Sequence, residues 1–264
     1  MNVVSSEAFD AAVSAVRPAV IVLPRVLPIM MIVPAFSASV LTGLVRNGFM
    51  AVIILFVGPA MDMSSLQGLA PLMWAGLVAK EALIGILLGY AFGAVMWAIA
   101  AAGSLIDFQT GASNQSFFDP IAQYESGPCA GFLNMLAITL FVTSGGLNLL
   151  LSALFASYRL WPIASFAPKF GTALLPFIAR GAASVMLWTV KLAAPVVIVL
   201  ILVELGFGLV SRAMPQLNVF LMSQAVKSAV AVLMMALFLP FVYASLHAYL
   251  GPDNGLLELL KSML

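Results

Sequence analysis

The residues able to do chemistry in this chain are few and far apart. Charged side chains interrupt its apolar stretches at Arg17, Arg25, Lys80, Glu81, Asp107, Glu204, Arg212 and Lys227, beside a single cysteine, Cys129, and a single histidine, His247. One histidine cannot build a metal cluster, and one cysteine leaves no disulfide within the chain. The carboxylates are scattered and no phosphate-cradling loop is present, so no catalytic residue, metal ligand or cofactor site is expected. What remains is charge pairing: an ionisable residue beside a long apolar run faces protein or water and has a partner. Lys80 and Glu81 are adjacent, so on a helix they point about 100° apart and are not a natural pair. Glu204 and Arg212 lie about 12 Å apart along a helix axis, too far to touch, so each is expected to meet a different partner, with Lys227 the candidate for Glu204. Arg17 and Arg25 are expected to snorkel or to cap rather than to bind a ligand.

The elements that must position these residues are helices. The chain has 264 residues, 63% hydrophobic and 8% charged, against roughly 25% charged in a soluble domain. No soluble core hides that much apolar surface. The apolar runs are long and continuous, unlike the alternating segments of about ten residues in an outer-membrane barrel. The fold class is therefore all-α: a polytopic helical membrane protein with proline-broken helices and helical hairpins, read as one domain over 1–264. A net charge of +1 gives no argument for a nucleic-acid partner. Glu7 and Asp10 precede the first basic residue, Arg17, which is unlike a signal peptide, so the N-terminus is expected to be retained.

In chain order, Ala11 to Phe36 carries prolines at 18, 24, 28 and 34 and reads as a broken helix held by neighbouring protein. Ser37 to Ala60 is a second apolar segment. Asp62 to Ala70 is a polar link, after which Pro71 suits a first helical turn. Leu72 to Ile106 would run about 52 Å as one helix, longer than the hydrocarbon core of about 30 Å. Along it Glu81, Gly85, Gly89 and Gly93 form a stripe where another backbone can approach, from this chain or from a partner subunit. Cys129 to Tyr158 is expected to break at Gly145-Gly146. Arg159 to Gly171 reads as interfacial, with Tyr158 and Trp161 as belt residues. Thr172 to Met214 and Val219 to Tyr249 form a hairpin, punctuated by Pro215 and with Asn218 as the second helix's N-cap. The tail 251–264 reads as a short amphipathic helix.

The longest polar interruption is Gly103–Pro120, GSLIDFQTGASNQSFFDP, between the uncharged runs Ala82–Ile106 and Ser126–Tyr158. Irregular chain at membrane depth must be buried in protein or line a wet cavity. The stretch is either a surface loop or a re-entrant, pore-facing one. Two function classes follow: a pore subunit of a larger assembly, or a stand-alone secondary transporter or channel for a small solute. A purely structural scaffold is a third.

The ordered set of Glu81 with Gly85 and Gly89, GSLIDFQTG…FFDP, and LGFGLVSRAMPQLNVF followed by Lys227 resembles the T subunit of the type III secretion export apparatus. This is the SctT family, the injectisome counterpart of flagellar FliR, and SFFDP with SYRLWP looks more like the injectisome branch. The resemblance covers nearly the whole chain. It implies a subunit of the inner-membrane export gate, assembled with R and S subunits, docked by U and V subunits, projecting on the periplasmic side, and passing unfolded secreted proteins. It implies that Asp107, Phe108, Gln109, Thr110, Gly111, Ala112, Ser113, Asn114, Gln115, Ser116, Phe117 and Phe118 belong to a plug at the pore axis. It gives Glu81, Gly85, Gly89, Gly93, Glu204, Gly208, Arg212, Pro215, Asn218 and Lys227 roles in helix packing or subunit contact. The chain departs from the family pattern in carrying Gln224-Ala225-Val226 before Lys227, where a proline-containing approach is expected.

Overall fold

A computed structural model describes residues 19–38, 40–58, 70–112, 127–163, 165, 174–216 and 218–250, with side-chain surroundings as far as 244. Arg17, Lys169, the link before Ala70, Ser113 to Phe118 and the tail 251–264 lie outside the described residues. Among the described residues the chain is helical and without strands. Its helices are α1 (Ala19–Ile32), α2 (Gly43–Val57), α3 (Pro71–Thr110), α4 (Pro128–Thr143), α5 (Gly146–Leu160), α6 (Leu174–Ala213) and α7 (Val219–Leu250). A 3-10 turn, Pro34–Phe36, follows α1. Among the described residues three helices are long and apolar enough to cross a membrane: α3, α6 and α7 over Val219–Ala244. α4 and α5, interrupted at Ser144 and Gly145, together form a fourth candidate span.

The sequence places most boundaries. Pro71 opens α3 and Pro128 opens α4, at the first helical position where a missing N–H costs nothing. Gly145 takes φ +83° between α4 and α5, a left-handed conformation that glycine adopts without steric cost. Asn218 accepts the Leu221 N–H at 3.4 Å at the head of α7.

Two expectations take a sharper form. The break expected between Ala11 and Phe36 falls at Val33–Phe36, around Pro34, and α1 runs through Pro24 and Pro28 unbroken. A helix of a membrane protein tolerates interior proline where neighbouring protein supports it, and α3 supports α1 closely. The polar stretch is also not irregular from Gly103: α3 continues through Thr110, and Gly111 (φ +80°) ends it.

The described helices fall into two compact units. The first joins α1, α2, the part of α3 up to Gly93, and α5. Here the glycine stripe has an intramolecular use. A Cβ at Gly85 would collide with the Arg25 carbonyl oxygen, and one at Gly89 would lie 3.0 Å from the Ile32 Cβ. These two glycines let α3 lie backbone-to-backbone against α1. Gly93, the last of the stripe, is also buried. Phe36 stacks on Phe49, and Phe56 meets Phe155 at 5.6 Å between centroids. The second unit joins α3 from Ala94, α4, α6 and α7. There Gly103 lies against Ala130 and Cys129 so closely that a side chain would have no room. Thr189 of α6 donates to the Ala98 carbonyl at 3.3 Å.

Candidate functional site

Each unit holds one polar cluster. In the first, Arg25 is wholly buried, with 0% exposure. Its Nε donates to Glu81 Oε2 at 2.6 Å, Nη1 to Ser157 Oγ at 2.9 Å and Nη2 to the Trp161 carbonyl at 3.1 Å. The Tyr158 ring lies under its guanidinium, 4.0 Å from the centroid. Lys80 Nζ lies 2.8 Å from Glu81 Oε1, so these neighbours do pair, against the expectation from their helical spacing. The long lysine stem covers the angular gap. Its N–H groups go to the carbonyls of Pro162, Ile163 and Ser165 at 3.0–3.1 Å, so Glu81 Oε1 receives its charge but no aligned hydrogen bond. Arg25 does not snorkel; it caps from inside the protein. Arg25 and Lys80 donate to the carbonyls that follow α5, at the negative end of that helix, and Glu81 balances their charge. Trp161 is accordingly buried and is not a belt residue.

The second cluster sits where α3 ends and α4 begins. Asp107, 1% exposed, accepts the Cys129 N–H on Oδ1 at 3.0 Å and the Ala130 N–H on Oδ2 at 2.8 Å. Gly127, the N-cap residue of α4, has no side chain to do this, and a Cβ on it would strike the Asp107 carboxyl group. A carboxylate at a helix N-terminus satisfies orphan N–H groups and complements the dipole. Asp107 therefore staples together both ends of the chain between α3 and α4. Beside it, Thr110 Oγ1 donates to the Asp107 carbonyl at 3.0 Å, and Phe108 is 75% exposed. Gln109 Nε2 donates to Glu204 Oε2 at 3.0 Å, and Lys227 Nζ lies 3.7 Å from the same oxygen. The pairing of Glu204 with Lys227 thus forms as expected, joining α6 to α7. Gln224 Nε2 donates to the Gly111 carbonyl at 3.1 Å.

Next to this junction is an apolar cavity of about 300 Å³, lined by Thr110, Ala112, Pro128, Cys129, Phe132 and residues of α7 from Ser228 to Leu239. A Cβ added to Gly208 would meet nothing within 4 Å, and Arg212 and Pro215 are exposed. Among the described residues no group of three or more His, Cys, Asp or Glu side chains is placed to hold a metal.

The partners of Ser157 and Gln224 had no signal in the sequence pattern. Ser157 and Gln224 are ordinary polar residues on helices, and only packing gives them partners.

The match to the family described as Bacterial export proteins, family 1, extends over residues 17–251. The chain belongs to this family. It is 34% identical over 219 residues to the Yop proteins translocation protein T of Yersinia pestis, covering 83% of this chain and 84% of that protein. It is 36% identical over 218 residues to the surface presentation of antigens protein SpaR of Salmonella typhimurium, covering 81% and 80%. It is 30% identical over 218 residues to the flagellar biosynthetic protein FliR of Pectobacterium carotovorum, covering 83% and 82%. With membrane-length helices α3, α6 and α7, this bacterial export protein is a multi-pass protein of the inner membrane.

Proposed function

We propose that this export protein is a subunit of the inner-membrane gate of a type III secretion apparatus, a non-enzymatic part of the pore through which unfolded proteins pass. The observation that carries the reading is its likeness, over more than four-fifths of both chains, to a protein named for translocation of Yop proteins. Its partners are the R and S subunits, with U and V docking on the assembly, and part of it projects to the periplasmic side. The segment from Asp107 to Phe118 contributes the plug. The stapled junction supports that role: Asp107 ties the end of α3 to the start of α4, the two helix ends that flank the segment. In this reading Asp107 is the plug's anchor and the residues beyond Ala112 are its seal.

Co-expression with R and S subunits in detergent, followed by native mass spectrometry, tests the assembly. The expected result is this chain as a minority subunit of one fixed-ratio complex. A chain that stays alone or forms only homo-oligomers beside well-expressed partners overturns the reading. For the plug, shortening the segment between Gln109 and Phe117 beyond the end of α3 is expected to make the closed assembly leak ions, and unchanged permeability counts against it.

A further inference from the structure

Gln224 lies on α7, and the proposed function makes no use of it. With no proline between Val219 and Lys227, α7 runs unbroken past Lys227. Gln224, Lys227, Ser228, Ala231 and Met235 recur at three- and four-residue spacing and so share one helix face. Three of them, Ser228, Ala231 and Met235, line the cavity that also touches Thr110 and Ala112. That face of α7 therefore meets the C-terminal end of α3.

The contact at Gly111 is of two kinds. Gln224 Nε2 donates to the Gly111 carbonyl at 3.1 Å. The same nitrogen lies 2.5 Å from where a Cβ on Gly111 would be, so the amide packs directly on the Cα. Gly111 has φ +80°, a conformation that leaves the helix and starts a new chain direction. Two residues earlier, Gln109 is tied to Glu204 and through it to Lys227. The last turn of α3 is thus tied to α4 through its own Asp107 and held from the α6–α7 hairpin by Gln224 and Glu204. The two grips differ in kind. Asp107 is charged and buried and completes the N-terminus of α4, which no other group does among the described residues. The Gln224 contact is a single neutral hydrogen bond at a partly buried place.

We propose that Gln224 is a positioning residue: a releasable latch on the Gly111 turn that sets the direction in which the chain leaves α3, without supporting the helix bundle. Its consequence for permeability rests on the function proposed above; the latch itself does not.

The test uses the full chain, co-expressed with the R and S subunits, in membranes. Ala112→Cys places a reporter thiol one residue past the turn, and the rate of its reaction with a maleimide is compared with and without Gln224→Leu. Ser113→Cys is a second reporter. Buried Cys129 supplies the background, measured in Gln224→Leu alone. The latch predicts a labelling rate higher by about five-fold, the ratio that losing one neutral hydrogen bond allows, with assembly unchanged. An unchanged rate at both reporters overturns it. So does failure of Gln224→Leu to assemble, because Gln224 would then be a support of the bundle. Faster labelling with raised ion leak supports both the latch and the plug. Faster labelling with no added leak supports the latch and overturns the plug.

Discussion

Arg25 and Glu81 show what a buried charge demands at the scale of one residue. Both are 0% exposed, and each is the other's main compensation. Removing Glu81 leaves the buried Arg25 and Lys80 without a carboxylate, at a cost of about 3–5 kcal/mol, whereas removing Arg25 leaves Glu81 its pairing with Lys80, 2.8 Å away, but empties the hydrogen bond to its Oε2. Lys80 keeps its three carbonyl partners in either case. Arg25→Met and Glu81→Met are therefore each expected to lower the thermal midpoint of the full chain in detergent sharply, and the double variant to lose less than the sum. A strictly additive double variant would show that the pair is not coupled. The need for partners was legible in the sequence, because charges beside long apolar runs must be compensated. The identity of the partner was not, because 56 positions separate Arg25 from Glu81 and no helical period spans such a distance. The adjacent pair misled for a related reason. Helical geometry fixes where Cβ points, but the lysine stem then bends to bring its charge to Glu81.

At the scale of elements, glycines on the two long helices have opposite meanings. On α3, a Cβ at Gly85 would meet the backbone of Arg25, which cannot move aside as a side chain can. Gly85→Ala is expected to push α1 from α3 and to lower the thermal midpoint of the isolated chain. On α6, Gly208 is in open space. There Gly208→Ala should be neutral or stabilising by up to about 1 kcal/mol, since alanine is the better helix former. A bulky Gly208→Leu should leave the isolated chain folded while weakening co-purification with the R and S subunits proposed as its partners, if that face of α6 meets one of them. Thermal unfolding and co-purification separate the two effects. In the sequence Gly85 and Gly208 look alike, each four residues after a glutamate, Glu81 or Glu204, and only the presence of α1 against the first distinguishes them. Helix ends were more readable, since Pro71, Pro128, Gly145 and Asn218 act locally. The end of α3 was misjudged because Asp107, Gln109 and Thr110 read as polar loop. Their polarity is instead satisfied by α4 and α6 and by the helix's own carbonyl at Asp107.

For the whole molecule, hydropathy and burial part company. α3 and α6 are equally long and both strongly apolar, yet 72% of the apolar window of α3 is buried within the chain, against 17% for α6 and 22% for α7. A straight helix of 40 residues spans about 60 Å, twice a hydrocarbon core of about 30 Å. Neither α3 nor α6 can be bathed in lipid along its full length without tilting or projecting. α3 meets this by burial in its own chain. α6 and α7 instead display Leu202, Leu205 and Leu209, and Phe220, Leu221 and Leu233, all at least 60% exposed, so lipid or partner protein must cover them. A lipid-borne photoreactive probe distinguishes these covers. In the isolated chain in bilayers it should mark α6 and α7 heavily and α3 lightly. In the assembled gate, marking of α6 and α7 should fall several-fold, while that of α3 stays low. If the exposed leucines of α6 are marked equally in both states, that face belongs to lipid, and the export subunit must contact its partners elsewhere.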